Sequence, residues 1–125
     1  MKLDRECVRD VLLLIESFDR EQVITSDELL NLQALNNYGE STILYTVEKL
    51  DEAGFVNVKF MPVLGGENPF FLQSITWEGH QFLDTIRDPA IWRETKSIAS
   101  KVASASLTVL SDVAAGVMKK TLGLE

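Results

Sequence analysis

The segment ITWEGHQFL, residues 75–83, holds the only histidine of the chain, His80, beside Trp77 and Glu78. An imidazole changes charge between about pH 5 and 8, so a histidine near carboxylates can transfer protons. On a helix that begins at Trp77, Asp84 lies four residues after His80 and on the same face. The segment can therefore be an acid–base site, or a strand-to-helix junction with a surface or structural histidine. We favour the junction, because the same spacing also suits an ordinary hydrogen bond or ion pair.

The rest of the sequence lacks the usual signatures of catalysis. One histidine and one cysteine cannot build a His/Cys metal site or an internal disulfide. Gly65-Gly66 does not have the spacing of a phosphate-binding loop, and no G-x-S-x-G motif is present. Cys7 lies in an apolar helical pattern, which favours a buried and inert thiol. We expect a protein that is not an enzyme and that has no catalytic, cofactor-binding or metal-binding residues.

Length and composition favour one acidic domain. The chain has 125 residues, of which 46% are hydrophobic, and its net charge is -7. Proteins that bind nucleic acid need Lys and Arg against the phosphates, so this charge disfavours DNA as a partner. The sequence has no apolar run of about 18 residues, as a membrane span would need, and no apolar signal-peptide core. A soluble, reduced, cytoplasmic protein that does not bind membranes is expected.

Apolar spacing and turn residues predict the order of the elements. Helices are expected over residues 4–18, 24–37 and 40–54, then strands over 55–64 and 69–76 and a helix over 77–88. The proposed helix signals are caps at Asp4, at Thr25 or Ser26, and at Thr76, with a glycine stop at Gly54. Gly65–Pro69 is predicted as a turn. The fold class is mainly α with a small β-wing: a winged helix-turn-helix over residues 1–88.

The residues of the strand-to-helix junction have expected structural roles. Trp77 is expected to bury its ring across the base of the wing. Gly79 is expected to let a neighbouring backbone approach closely, because it has no side chain. Phe82, Leu83 and Ile86 are expected in the core.

Residues 89–125 are predicted to form a C-terminal amphipathic helical extension, capped by Asp88 with Pro89 at its first position. The pattern weakens around residues 104–106 and then resumes. An apolar stripe on a helix must be covered, and this one can fold back on its own domain, pair with a second copy or dock on another protein. We favour a homodimer through the stripe, whose residues are Ile98, Val102, Leu107, Leu110, Ala114 and Val117.

Two segments carry a resemblance to known proteins. VEKLDEAGFV, residues 47–56, is similar to the end of the third helix of many winged-helix regulators, and SITWEGHQFLD, residues 74–84, resembles the junction after their wing. The combination ITWEGHQFLDTIRDPAIWRETK, together with the KKTLGL end, resembles domain-of-unknown-function family 2513 of bacteria and their phages. This resemblance implies a winged-helix fold and a mobile-element setting, and it implies no established activity.

In a winged helix the third helix would enter the major groove of DNA. Its outward residues here are Glu40, Ser41, Thr42, Tyr45, Glu48 and Lys49. Residues 1–88 hold seven basic and sixteen acidic residues, a net −9, whereas residues 89–125 hold five and three, a net +2. We therefore predict that these six residues dock a protein partner. The alternative is a dimeric DNA-binding transcriptional regulator, in which Lys2, Arg5 and Arg9 of two copies form a basic patch.

Overall fold

A computed structural model of the chain describes residues 1–62, 69–102 and 105–124. These residues form a mainly helical protein with a small three-stranded antiparallel sheet. In chain order the elements are α1 (Arg5–Glu16), β1 (Ile24–Thr25), α2 (Ser26–Leu30), a 3-10 turn (Gln33–Leu35), α3 (Glu40–Glu52), β2 (Val56–Phe60), β3 (Phe70–Ile75), α4 (Trp77–Ile86), α5 (Pro89–Ala99) and α6 (Leu107–Thr121). All of the predicted turn except Pro69 lies outside the described residues.

The predicted helix signals are confirmed. Side-chain oxygens cap the helices at each expected position: Asp4, Thr25, Thr76 and Asp88. Thr25 and Glu28 form a reciprocal capping box, which satisfies two backbone N–H groups that the helix itself cannot pair. Gly54 follows α3 with a φ of 77°, the left-handed conformation that glycine adopts without a steric penalty.

The second predicted helix is much shorter than expected. α2 ends at Leu30, and a separate 3-10 turn follows after Leu32, whose backbone is extended. The Asn31 side chain donates to the Asp27 carbonyl, 2.8 Å away. Short polar side chains that bond to nearby backbone compete with the helix in this way, which explains the break.

A strand that was not predicted joins the sheet. β1 pairs with β3 at Ile24↔Leu72 and Thr25↔Phe71, so the strand order is β1-β3-β2. A strand of two residues is too short to show an alternation of polar and apolar side chains. Its partner strand, β3, lies far away in the sequence. Nothing local in the sequence therefore identified this strand.

The C-terminal extension folds back on residues 1–88. α6 packs against α4 and α5. One hydrophobic cluster contains core residues from both parts of the chain, among them Val11, Leu12, Phe82, Trp92, Ala99, Leu107, Leu110 and Ala114. The described residues therefore share one core, and the extension is an integral part of it. No helix in the described part of the chain is both long and apolar enough to cross a membrane.

Two arginines of α1 attach the later helices to it. The Arg9 guanidinium donates to the carbonyls of Ile86 and Arg87 at the end of α4, both at 2.9 Å. Arg5 donates to the carbonyl of Ala99 at the end of α5, at 3.4 Å. Carbonyls at a helix end have no partner within their helix. Arg5 and Arg9 therefore have structural roles, because their guanidinium groups hold the ends of α5 and α4 against α1.

A polar cluster also links α5 to α1. The Glu6 carboxylate contacts the Lys96 ammonium and accepts from the Trp92 indole N–H at 3.3 Å. Burial raises the pKa of Glu6, but hydrogen bonds from Lys96 and Trp92 outweigh it, so that the pKa is lowered. The stabilisation by Glu6 is therefore present above its unfolded-state pKa and is lost as the pH falls through the folded-state pKa.

Cys7 is expected to resist thiol reagents in the folded protein. Its side chain is fully buried, and burial raises its pKa to about 11. Because the thiolate is the reactive form, both effects slow the reaction. A coloured disulfide reagent at pH 8 should label the native chain very slowly and the chain in guanidinium chloride within minutes. Rapid stoichiometric labelling without denaturant would show that α1 is not packed as described.

Candidate docking face on helix α3

Helix α3 has one buried side and one outward side. Ile43, Thr46, Val47 and Leu50 are buried, and the helix packs on α1. The six residues that were predicted from the sequence to dock a partner all lie on the outward side. Glu40, Ser41 and Glu48 are exposed, whereas Thr42, Tyr45 and Lys49 are half-buried. We call these six residues, with Asp51 and Glu52, the α3 face.

The α3 face is acidic. It holds four carboxylates, on Glu40, Glu48, Asp51 and Glu52. Its only cation, Lys49, lies 2.7 Å from a Glu52 oxygen and 5.2 Å from the centre of the Tyr45 ring. The hydrogen bond with Glu52 raises the pKa of Lys49, which keeps the ammonium charged and directed along its own helix. A phosphate approaching this face would therefore meet mainly carboxylates.

The sequence reasoning missed Asp51 and Glu52. Ser41, Tyr45, Glu48 and Glu52 follow one another at intervals of three or four residues, the helical spacing that puts side chains on one face. Extending that spacing by one step would have included Glu52.

Two grooves lie on either side of Tyr45. One, of about 580 Å³, separates α3 from the chain before α1 and from the start of α6; its lining includes Lys2, Leu3, Tyr45, Lys49, Glu52 and Leu107. The other, of about 280 Å³, lies between α3 and the sheet and is lined by Met1, Ser41, Leu44, Tyr45, Glu48, Phe60 and Phe70. Tyr45 therefore stands between two concave surfaces.

The groove beside the sheet continues along α3. A further hollow of about 320 Å³ is lined by Glu48, Asp51, Glu52 and Phe60. Glu48 and Phe60 border both hollows, which makes them one surface. We call this combined surface the acidic groove; its lining residues are Met1, Ser41, Leu44, Tyr45, Glu48, Asp51, Glu52, Phe60 and Phe70.

The predicted dimer stripe is mostly covered within the chain. Leu107, Leu110, Ala114 and Val117 are buried on the inner side of α6. Only Ile98 and Val102 remain exposed, by 36% and 53%. Burial against the chain's own helices already removes four of the six stripe residues from water.

Trp77 was predicted wrongly. The residue is 73% exposed, whereas the expectation was burial at the base of the wing. It is the first residue of α4 and follows the Thr76 cap, at a position that points into solvent. The indole has a polar N–H as well as an apolar body, and that character fits an exposed position as well as a half-buried one.

Quenching of tryptophan fluorescence should separate the two indoles. Trp92 is only 4% exposed, so acrylamide should quench mainly Trp77. A Trp77→Phe variant should therefore lose most of the easily quenched emission and retain the protected emission of Trp92. Equal quenching of the wild type and the variant would contradict the exposure of Trp77.

The two segments that carry the family resemblance contact each other. The Thr76 N–H donates to the Phe55 carbonyl at 3.0 Å, and the rings of Phe55 and Phe82 lie 5.3 Å apart. A Cβ added at Gly79 would come within 2.0 Å of the Phe55 oxygen. The close backbone approach predicted at Gly79 is confirmed, and it joins the end of α3 to the start of α4.

His80 lies in a shallow cleft and is exposed. The cleft has a volume of about 140 Å³, and its lining includes Glu16, Asp19, Arg20 and His80. Asp84, which lies four residues after His80, accepts from Arg87 at 3.1 Å, and Arg87 also contacts Glu16. Among the described residues, no hydrogen bond joins the side chains of His80 and Asp84.

Comparison with known proteins places the chain in a family. The family model DUF2513, described as a hypothetical protein, matches residues 2–106. An uncharacterized protein of Haemophilus influenzae is 28% identical over 123 residues, which cover 98% of this chain and 99% of that protein. No solved structure shows a significant match. The match to the family model spans both resemblance segments and helix α3, and the chain belongs to the DUF2513 family.

Proposed function

We propose that this chain is a winged helix-turn-helix protein that acts by binding another macromolecule and not by catalysis. The order of its elements supports the fold: α2 and α3 form the helix pair, and β2 and β3 follow as the wing. β1 lies between the first two helices and pairs with β3, which ties the start of α2 to the wing.

The proposed partner is a protein, and the α3 face is its docking site. The observation that carries this proposal is the charge of the face: four carboxylates stand on the helix that would enter a DNA groove, and Lys49 is held by Glu52. Complementary charge steers association and suppresses wrong partners. A face of this sign repels phosphates and attracts cationic protein surfaces.

The second candidate is a dimeric DNA-binding regulator. Ser41 and Thr42 at the start of α3 favour it, since hydroxyl groups at that position can contact phosphates. The placement of Arg5 and Arg9 weighs against it, because both guanidinium groups donate to helix-end carbonyls. Both guanidinium groups are therefore directed towards the protein's own backbone.

Fluorescence polarisation with a labelled random-sequence duplex tests this choice. At about 50 mM salt, phosphate-driven binding is strong, and it weakens steeply as salt is added. We expect no saturable binding by the wild-type chain. Saturable binding that fades with added salt would overturn the protein-docking proposal and support the DNA-binding regulator.

A further inference from the structure

We infer that the acidic groove binds a Lys/Arg-rich segment of a partner protein, and that this segment inserts an apolar side chain between α3 and β2. The inference rests on the proposed protein-docking function and names the chemical class of the partner. Two independent features of the groove support it. One is an aromatic surface at the bottom of the groove, called the floor, and the other is a row of carboxylates at its edge, called the rim.

The floor of the groove is apolar and largely aromatic. Phe60 and Phe70 face each other edge-on, with centroids 5.5 Å apart and planes at 68°. Phe70 is buried, whereas Phe60, Leu44 and Tyr45 are only half-buried and leave part of their surface to solvent. Such a surface, backed by a packed core, stabilises an inserted apolar group by removing it from water.

The rim is formed by Glu48, Asp51 and Glu52, which line the hollow beside Phe60. Lys59 precedes Phe60 on β2, and consecutive strand residues point to opposite faces of a sheet. The Lys59 ammonium is therefore directed away from the groove. Glu52 is paired with Lys49, whereas no ion pair among the described residues engages Glu48 or Asp51. These two carboxylates can therefore pair with cations of one partner segment.

The larger groove on the other side of Tyr45 is a weaker candidate for the same partner. Its lining combines Lys2 and Lys49 with Glu52, so its charges partly cancel. The lining of the acidic groove contains no basic residue among the described positions. Charge complementarity therefore favours a cationic occupant on the β2 side of α3.

The test uses short fluorescein-labelled peptides and the full chain. The probe is rich in lysine with one central phenylalanine, and a matched peptide has serine in place of the phenylalanine. At about 50 mM salt, where exposed charges are weakly screened, the wild-type chain should bind the phenylalanine peptide saturably. The serine peptide should bind at least about tenfold more weakly, because it gives the floor nothing to bury.

Two matched double variants separate the groove from the net charge. Glu48→Gln with Asp51→Asn removes two rim carboxylates, and Glu21→Gln with Glu94→Gln removes two exposed carboxylates elsewhere. The rim variant should weaken binding about tenfold, whereas the control should stay within about twofold of the wild type. Thermal melts of both variants confirm that any loss of binding is not a loss of folding.

Each other outcome overturns the inference. No peptide binding, equal binding of the two peptides, or equal losses in the two double variants would show that the groove does not select a basic segment with an apolar anchor. A concentration-dependent dimer that the rim variant abolishes would show that a second copy occupies the groove. If the peptide test fails and the chain also binds no duplex, only this inference is overturned and the protein-docking proposal stands. Binding of the duplex would overturn the proposed function itself.

Discussion

Replacing Gly79 by alanine should lower the free energy of unfolding by about 3 kcal/mol or more, which for a chain of this size lowers Tm by roughly 10 °C. The added Cβ would lie 2.0 Å from the Phe55 oxygen and 2.6 Å from the Ile75 Cγ2. The Phe55 oxygen belongs to the backbone and is fixed by the Thr76 N–H, so it cannot move aside alone. The junction between α3, the sheet and α4 would have to open.

Gly116→Ala is the matched control. This glycine lies within α6, and an added Cβ would have no heavy atom within 4 Å. Alanine is favoured over glycine in a helix interior, so this variant should be more stable by about 0.5–1 kcal/mol. Thermal and denaturant unfolding of both variants provide the measurement. A Gly79→Ala protein as stable as the wild type would contradict the packing at the junction.

Replacing Leu110 by alanine should lower the free energy of unfolding by about 2–5 kcal/mol. Leu110 is fully buried on α6 and belongs to the same hydrophobic cluster as Val11 and Phe82. Truncating it removes apolar contacts and leaves a cavity that the surrounding helices fill only in part. An effect of this size requires α6 to be part of the core.

Val109→Ala, one residue earlier on the same helix, is the control for Leu110. Val109 is 47% exposed, so its truncation should change the stability by at most about 0.5 kcal/mol. Urea unfolding monitored by circular dichroism compares the two variants. If Leu110→Ala lowered the free energy of unfolding no more than Val109→Ala, the extension would not be packed on residues 1–88.

Local signals in the sequence predicted local structure well. The Thr25–Glu28 capping box, the Thr76 cap and the Gly54 stop each depend on neighbours within a few residues, and all three are present. The same holds for the close approach at Gly79, whose place after a strand and a cap limited the room for a side chain. These features of the junction were predicted correctly because the residues that produce them lie close together in the sequence.

Features that depend on distant partners were not predictable in the same way. The carbonyls that receive Arg9 lie 77 and 78 residues away, and the stripe on α6 is covered by helices of the same chain. Apolar spacing shows that a helix face must be buried, but it does not name the surface that buries it. Trp77 was wrongly predicted to be buried for a related reason, because a tryptophan side chain fits both a half-buried and an exposed environment.

The α3 face was predicted in part. Six of its eight residues follow from helical spacing, and these six lie outward as expected. The acidic groove could not be predicted, because it forms only where Phe60 and Phe70 meet α3 in the folded chain. The pairing of Lys49 with Glu52 is likewise a property of the folded helix, and it directs the only cation of the face towards a carboxylate of the same helix.

The most direct test of the central claim, that the α3 face docks protein and not nucleic acid, is a residue-resolved titration. A ¹⁵N-labelled chain would be titrated with the lysine–phenylalanine peptide, and a second sample with random duplex. We expect the peptide to shift the amide signals of Tyr45, Glu48 and Phe60, and the duplex to shift none of them. Shifts of the α3 amides by the duplex, with none from the peptide, would contradict it.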